Sequence, residues 1–171
     1  MDQQELIITF IGSFLAALAV VAIERWWTAK SDFRNSIKGL INEIEIDASW
    51  LEELKETILT NLSNFEKIKT AGGVMNLPPL ILLHDSFDYC RIKGIFSDLP
   101  EDQRTKINGL YVLSDMITTI TDRDFQLSVN DSDHPGRLYS NKKRTWEAIL
   151  RMIEEYKRRT SEINLQNVIK L

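Results

Sequence analysis

The stretch Leu6–Ile23, LIITFIGSFLAALAVVAI, runs for eighteen residues without a charge and is followed at once by ERWW at 24–27. As a helix it would rise about 27 Å, just under the ~30 Å hydrocarbon core of a bilayer. The two tryptophans then fall where an interfacial aromatic belt belongs. The stretch therefore predicts one membrane-spanning helix, which with its belt covers residues 6–27.

Two other interpretations of the apolar stretch are open. A cleaved secretory signal would carry Lys or Arg ahead of the apolar run, whereas only Asp2 and Glu5 precede it, although Ala17-Leu18-Ala19 resembles a cleavage site. A buried core helix is the second interpretation, but a helix that is apolar all round has no polar face to present to water. An uncleaved anchor is therefore the favoured prediction.

The charges around the span predict its orientation. No Lys or Arg precedes it, and four follow it closely, namely Arg25, Lys30, Arg34 and Lys38. The positive-inside rule then predicts that residues 1–5 lie outside and that a domain of residues 28–171 lies in the cytoplasm.

The composition behind the span is that of one folded domain. All 21 Lys and Arg and 23 of the 25 acidic residues follow the span, so this part carries a net charge of −2. Such mixed charge offers no broad basic field to duplex nucleic acid, and roughly 145 residues can bury one hydrophobic core. The single Cys90 excludes an internal disulfide and a cysteine-rich zinc site, and we interpret it as a small core residue.

Residues 33–68 carry the strongest periodicity in the chain. One heptad position holds Ile37, Ile44, Leu51, Ile58 and Phe65, and the other holds Phe33, Leu40, Asp47, Leu54, Asn61 and Ile68. Nine of these eleven residues are apolar, which predicts a long helix. This helix can continue directly from the span, with a hinge allowed near Ser31 and Asp32, and Gly72-Gly73 is predicted to end it.

A second helix is predicted to follow two prolines. Pro78-Pro79 suits the first turn of a helix over Leu80–Lys93, because proline lacks the N–H that a first turn leaves unpaired. Gly94 is predicted to stop this helix.

The rest of the chain predicts two more helices separated by a loop. Acidic residues from Glu101 begin a helix whose apolar face extends to Phe125. The polar, turn-rich stretch Ser128–Ser140 predicts a loop, and a last helix is predicted over about Asn141–Ile163. The fold class is therefore all-α, with an up-and-down cytoplasmic bundle of about four helices and a long first helix.

A basic cluster stands at the predicted start of the last helix. Its members are Arg137, Ser140, Asn141, Lys142, Lys143 and Arg144. A helix N-terminus offers free N–H groups and a positive dipole end, so with Ser140 or Asn141 as N-cap this cluster indicates an anion site for a nucleotide or another phosphate-bearing ligand. A solvated basic turn facing acidic lipid headgroups explains the same residues.

The polar turn near residue 131 resembles a cation site only in part. Asn130, Asp131, Asp133 and His134 carry suitable ligand atoms, but a calcium loop also needs a central Gly and a bidentate Glu in register, and neither is there. We therefore predict a solvated turn and no metal.

Catalytic motifs are missing from the sequence. His84 stands beside Asp85, yet neighbours on a helix point about 100° apart and are poorly placed to act as a pair. No nucleophile elbow, zinc-protease motif, phosphate-binding P-loop or dinucleotide loop occurs. We accordingly predict neither enzyme activity nor a cofactor.

Two features of the sequence favour a homo-oligomer. Small residues four apart on the span allow close helix approach. Polar residues at seam positions of the long helix would fix register if that helix self-associates, and packing against the protein's own helices is the equal alternative. The candidate contacts are Gly12, Ser13, Ala16, Ala17, Asp47 and Asn61.

In layout the chain resembles small prokaryotic proteins that pair one N-terminal membrane helix with a helical cytoplasmic domain. The resemblance is carried by the apolar stretch and the basic residues after it, by LINEIEIDASWLEEL at 40–54 and by FSDLPEDQRTKINGLYVL at 96–113. Some proteins of this layout are membrane effectors of antiviral defence, in which a cyclic nucleotide binds the cytoplasmic part and an oligomer of spans disturbs the membrane. The resemblance implies the same partners here, a bilayer and a nucleotide messenger.

Three functional hypotheses follow. The favoured one is a non-enzymatic, membrane-anchored helical interaction or effector protein that acts as an oligomer. The second is a membrane effector gated by a cyclic oligonucleotide bound at the basic cluster. The third is a small membrane-bound enzyme that uses His84 or the turn at 131–134.

Overall fold

The computed structural model describes residues 3–71, 76–130 and 135–165, and in those ranges every regular element is a helix. The elements are α1 (Gln3–Ser63), α2 (Phe65–Thr70), α3 (Asp85–Ile92), a 3₁₀ turn (Ile95–Asp98), α4 (Glu101–Asn130) and α5 (Pro135–Glu162). The predicted all-α class and the long first helix are confirmed.

Helix α1 has two halves with different surroundings. Its 61 residues extend about 90 Å at ~1.5 Å per residue. The side chains of residues 11–30 are all exposed, whereas from Ile37 onward one face is buried. The helix passes through Ser31 and Asp32 without interruption, so the hinge that the sequence allows there is absent from the structure.

The predicted heptad seam of α1 is its buried face. The buried seam residues on this helix are Ile37, Leu40, Ile44, Asp47, Leu51, Leu54 and Ile58. They pack on α5 and on the segment around α3, while Asn61 is half-buried near the end of the helix. Periodicity alone was sufficient to predict this face because one stripe of α1 meets the core.

The end of α1 differs from the prediction. The periodic segment breaks at Asn64, and α2 follows it, instead of one helix that reaches Gly72-Gly73, which lies outside the described residues. Ser63 Oγ and Asn64 Nδ2 both donate to the Thr60 carbonyl, at 2.8 and 3.1 Å. The Asn64 N–H keeps its bond to the same carbonyl at 3.2 Å, so the backbone continues almost helically into α2, and Phe65 is buried where the heptads place it.

The prediction of a helix over Leu80–Lys93 was wrong in its first half. Residues 76–84 have no regular structure, and the helix covers only Asp85–Ile92. The N–H of Leu83 bonds to the side chain of Asp47 on α1, so a tertiary contact replaces the helical bond. Gly94, at φ 74°, ends this segment in the left-handed conformation, as predicted.

The start of α4 at Glu101 is confirmed, but the predicted loop Ser128–Ser140 was wrong at both ends. Helix α4 continues to Asn130, and α5 begins at Pro135, well before the predicted Asn141. Proline fits this first position because its missing N–H would be unpaired there in any case. The turn residues 131–134 lie outside the described residues.

The core lies between the C-terminal half of α1 and the two long helices α4 and α5. Trp146, Ile149, Ile153 and Tyr156 line the inner face of α5 and are almost completely buried. Cys90 of α3 is a buried core residue, as predicted. Short α3 also packs on α1, and among the described side chains of α1 the bundle buries residues only from Ile37 onward.

Candidate functional site

The N-terminal half of α1 presents an uncovered apolar surface, which we call the apolar rod (residues 11–23). Its large hydrophobic side chains are all exposed, namely Ile11, Phe14, Leu15, Leu18, Val20, Val21 and Ile23. Within the described part of the chain, α1 is the one helix long and apolar enough to cross a membrane, and its apolar stretch is not buried in the protein. A water-exposed surface of this kind is costly unless lipid or protein covers it.

Directly after the apolar rod stands a group that we call the collar (Trp26, Trp27, Lys30, Arg34 and Lys38). The two indole rings meet edge to face at 6.0 Å, and the Lys30 ammonium lies 5.2 Å from the centre of the Trp26 ring. All five side chains are exposed. The aromatic belt and the basic residues predicted for this place thus lie on one continuous helix.

Further along α1, Glu43 is a buried carboxylate that caps another helix. Its Oε2 accepts the N–H of Ser86 at 2.7 Å, and its Oε1 accepts the N–H of Phe87 at 3.3 Å. These N–H groups belong to the first turn of α3, where a helix leaves donors without partners. His84, the residue at the N-cap position, makes no side-chain capping bond, so α1 supplies the cap instead.

Helix α4 completes the environment of this carboxylate. The hydroxyl of Tyr111 donates to Glu43 Oε1, and its ring stacks on Phe87 with 4.0 Å between centroids. Burial, followed by the bond to Glu43, raises the pKa of Tyr111 well above its usual value. Glu43 therefore joins α1, α3 and α4 at one point.

One turn later on the same face of α1 lies Asp47. Its Oδ1 accepts the N–H of Leu83 at 2.8 Å, while Oδ2 is buried without a hydrogen-bond partner among the described residues. Burial raises the pKa of Asp47 to about 6, with a smaller contribution from the nearby Glu43. Two carboxylates one turn apart thus hold the non-helical segment and the start of α3 against α1.

His84 does not pair with Asp85. Its Nε2 lies 3.6 Å from Oδ1 of Asp115 on α4, and its ring meets Tyr111 edge to face at 5.1 Å. The contact holds the 76–84 segment against α4. The sequence predicts that His84 and Asp85 are poorly placed to pair, and in the structure His84 contacts Asp115 instead.

A second buried polar contact joins α4 and α5. The ammonium of Lys142 lies 3.2 Å from Oδ2 of Asp124, and both side chains are only 3% exposed. Trp146 Nε1 donates to the same oxygen at 3.2 Å. Burial lowers the pKa of Lys142, and Asp124 acts in the opposite direction.

This geometry corrects the basis of the predicted anion site. Because α5 begins at Pro135, residues 140–144 lie inside the helix, where N–H groups already bond within the ladder, and neither Ser140 nor Asn141 is an N-cap. Lys142 turns inward to Asp124, whereas Asn141, Lys143 and Arg144 are exposed. The side chains of Arg137 and Ser140 lie outside the described ones.

The predicted oligomer contacts divide into two groups. Gly12, Ser13, Ala16 and Ala17 are exposed on the apolar rod, and a side chain at Gly12 would meet nothing within 4 Å. Asp47 and Asn61 instead belong to the packed half of α1, and Asp47 is fully buried by the protein's own segments. For Asp47 the structure thus favours the alternative of packing within the chain.

Sequence reasoning missed Glu43, Tyr111 and the Asp124–Lys142 pair. Glu43 stands next to a seam position and one turn before Asp47, which was the signal that could have marked it as buried. Asp124 and Lys142 are eighteen residues apart, on opposite sides of a stretch that sequence reasoning treated as a loop. In the described residues, no group of three or more His, Cys, Asp or Glu side chains is placed to hold a metal ion.

Comparisons with family models, with curated proteins and with solved structures found no match to this chain.

Proposed function

We propose that this protein is a membrane-anchored, non-enzymatic helical effector or interaction protein that acts as an oligomer. The apolar rod crosses the bilayer, and the helical domain of residues 28–171 lies in the cytoplasm. The observation that carries the proposal is the uncovered apolar rod, which continues as one helix into a packed bundle.

The physical support is the mismatch between the two halves of α1. The packed half buries one stripe and exposes polar residues, as a helix of a water-soluble domain does. The apolar rod exposes large hydrophobic side chains around its whole circumference. Lipid and further copies of the rod would cover this surface. Each large apolar side chain that is removed from water stabilises the buried state by about 1.5–3 kcal/mol.

The polar core supports a coupling role for α1. Glu43 and Asp47 connect α1 to the segment of residues 83–87 through main-chain N–H groups. A shift or rotation of the rod would therefore move the start of α3 as well. Packed helices that move as units are a common means of passing a change between a membrane and a domain.

The same contacts support a non-enzymatic role. Both carboxylates are buried and engaged by the protein's own backbone, and Lys142 is engaged by Asp124. A catalytic group has to reach a substrate, directly or through one water. These buried groups instead serve to hold the helices together.

Alkaline extraction of membranes from bacterial cells that express the full chain tests the proposal. The variant Leu15→Glu/Leu18→Glu places two carboxylates in the apolar rod, which costs several kcal/mol in hydrocarbon. Its matched control, Leu59→Glu/Leu127→Glu, changes two similarly exposed leucines of the domain. Wild type and control should stay in the membrane pellet and the rod variant should leave it, whereas wild type in the soluble fraction would refute the proposal.

A further inference from the structure

We propose that the collar binds the headgroups of anionic phospholipids in the bilayer that holds the apolar rod. The inference rests on the proposed function, because the collar reaches a headgroup layer only if the rod is in lipid. It adds the chemical class of lipid that the protein recognises.

The collar residues share one face of α1. At 3.6 residues per turn, Trp26, Trp27, Lys30, Arg34 and Lys38 fall within about 120° of one another around the helix axis. Asp32 lies about 160° from Lys30, so the acid nearest to the basic residues in sequence points away from this face. Along residues 26–38 of α1 this face therefore carries three cations and two indole rings, and the acidic residue of that range, Asp32, belongs to another face.

The collar begins along α1 at the depth of the headgroup layer. The tryptophans lie about 5 Å beyond Ile23 along the helix axis, Lys30 about 10 Å, Arg34 about 16 Å and Lys38 about 22 Å. The headgroup layer is about 5–8 Å thick on each side of the hydrocarbon core, so the tryptophans lie within it, Lys30 lies just past it, and Arg34 and Lys38 attract it from the adjoining water over roughly one Debye length. The bundle does not cover these side chains, which are all exposed.

The collar also forms a concave surface of suitable chemistry. Trp26, Trp27, Lys30, Ser31 and Arg34 line a cleft of about 330 Å³. The Lys30 ammonium above the Trp26 ring orients a cation toward this cleft, and a guanidinium on the next turn can bind phosphate oxygens in a fork. Phosphate diesters with a net negative charge fit such a site better than zwitterionic ones do.

The collar is the part of the chain that can attract anionic lipid. The residues after the span carry a net charge of −2, and the part of α1 that follows Lys38 is rich in Glu. An anionic membrane surface would repel such a domain, so the attraction comes from the local basic face of the collar. A cation near an anionic membrane surface contributes roughly a fivefold gain in binding. Added salt weakens this attraction because it shortens the Debye length.

Spin-labelled lipids in reconstituted bilayers test the proposal on the full chain. Phosphatidylcholine bilayers receive a trace of spin-labelled phosphatidylglycerol or spin-labelled phosphatidylcholine, and the motionally restricted fraction measures each lipid's association with the protein. The collar variant is Lys30→Gln/Arg34→Gln/Lys38→Gln. The matched control is Lys67→Gln/Lys69→Gln/Arg151→Gln, which removes three exposed cations of the domain away from the collar.

Wild type and control should prefer phosphatidylglycerol by at least about fivefold, the gain from one cation, and the collar variant or 1 M salt should bring the ratio close to one. A ratio near one for wild type, or an unchanged preference in the collar variant, would overturn the inference while leaving the anchor intact. Failure of wild type to enter any bilayer would instead refute the proposed function, so the two failures are distinguishable.

Discussion

The hydroxyl of Tyr111 on α4 donates a hydrogen bond to the carboxylate of Glu43 on α1, and both side chains are buried. Because Glu43 also caps the first turn of α3, this one contact holds three helices in register. Glu43 lies on the same continuous helix as the apolar rod, so this contact ties α3 and α4 to the helix that carries the rod.

Removing the Tyr111 hydroxyl should weaken the domain. Tyr111→Phe takes away a donor to a charged acceptor and should lower the free energy of unfolding by about 1.5–3 kcal/mol. Thermal unfolding of the full chain in detergent micelles, followed by circular dichroism, measures the change. Tyr89→Phe is the control, because Tyr89 is 48% exposed and should change stability by less than about 0.5 kcal/mol. Equal effects of the two substitutions would contradict the role assigned to Tyr111.

Asp47 should make the domain less stable as the pH rises from about 4 to 7. Its pKa is raised in the folded protein to about 6 from 3.8, so between these values the folded state binds more protons and stability falls as the proton is lost. Asp47→Asn removes this titration and keeps an acceptor for the Leu83 N–H. The advantage of the variant over wild type should grow by about 1–3 kcal/mol between pH 4 and pH 7.

Unfolding curves at the two pH values measure this difference directly. Asp98→Asn, at an exposed position, controls for the loss of one negative charge. A difference between wild type and Asp47→Asn that is the same at both pH values would show that Asp47 does not titrate in this range.

Removing only one of the two charges of the Asp124–Lys142 pair should strongly destabilise the domain. Lys142→Met removes the ammonium that lies 3.2 Å from the buried Asp124 carboxylate, which should lower stability by about 3–5 kcal/mol. Asp124→Leu/Lys142→Met removes both charges and should cost less than the sum of the single changes. Lys143→Met, at an exposed neighbour, should have an effect within about 0.5 kcal/mol. A strictly additive double-mutant cycle would contradict the pairing.

Periodicity predicted the parts of the fold that depend on one repeating contact. Ile37, Leu40, Leu51 and Ile58 are buried where the heptads place them, because a straight helix brings every seam residue to the same core. The start of α4 after Leu99-Pro100 followed from local chemistry in the same way.

The errors lie where a distant side chain decides the local backbone. Nothing near Leu83 in sequence indicates that its N–H bonds to Asp47, 36 residues earlier, in place of a helical carbonyl. Lys142 was assigned to an anion site because its neighbours are basic, but its partner Asp124 lies across the connection between α4 and α5. The turn-rich composition of residues 128–140 likewise led to the prediction of a loop where helix α5 already begins at Pro135.

The small residues of the apolar rod should carry its self-association. Gly12→Leu/Ala16→Leu places bulk on the face where close approach is proposed, and the mass of the detergent-solubilised complex should fall toward that of one chain. Leu15→Ile/Leu18→Ile changes shape without adding volume and should leave the mass unchanged. A wild-type mass of one chain, or no response to the Gly12 and Ala16 changes, would count against these contacts.

Cysteine accessibility in intact cells tests the central claim, the placement of α1 in the membrane, most directly. Single cysteines at Gln4, Leu15 and Lys67 are treated with a membrane-impermeant maleimide before and after permeabilisation. The native Cys90 is silent in this experiment because burial raises the pKa of its thiol to about 11. We expect labelling of Gln4→Cys in intact cells, of Lys67→Cys only after permeabilisation, and of Leu15→Cys in neither case. Labelling of Lys67→Cys in intact cells, or ready labelling of Leu15→Cys from water, would contradict the account.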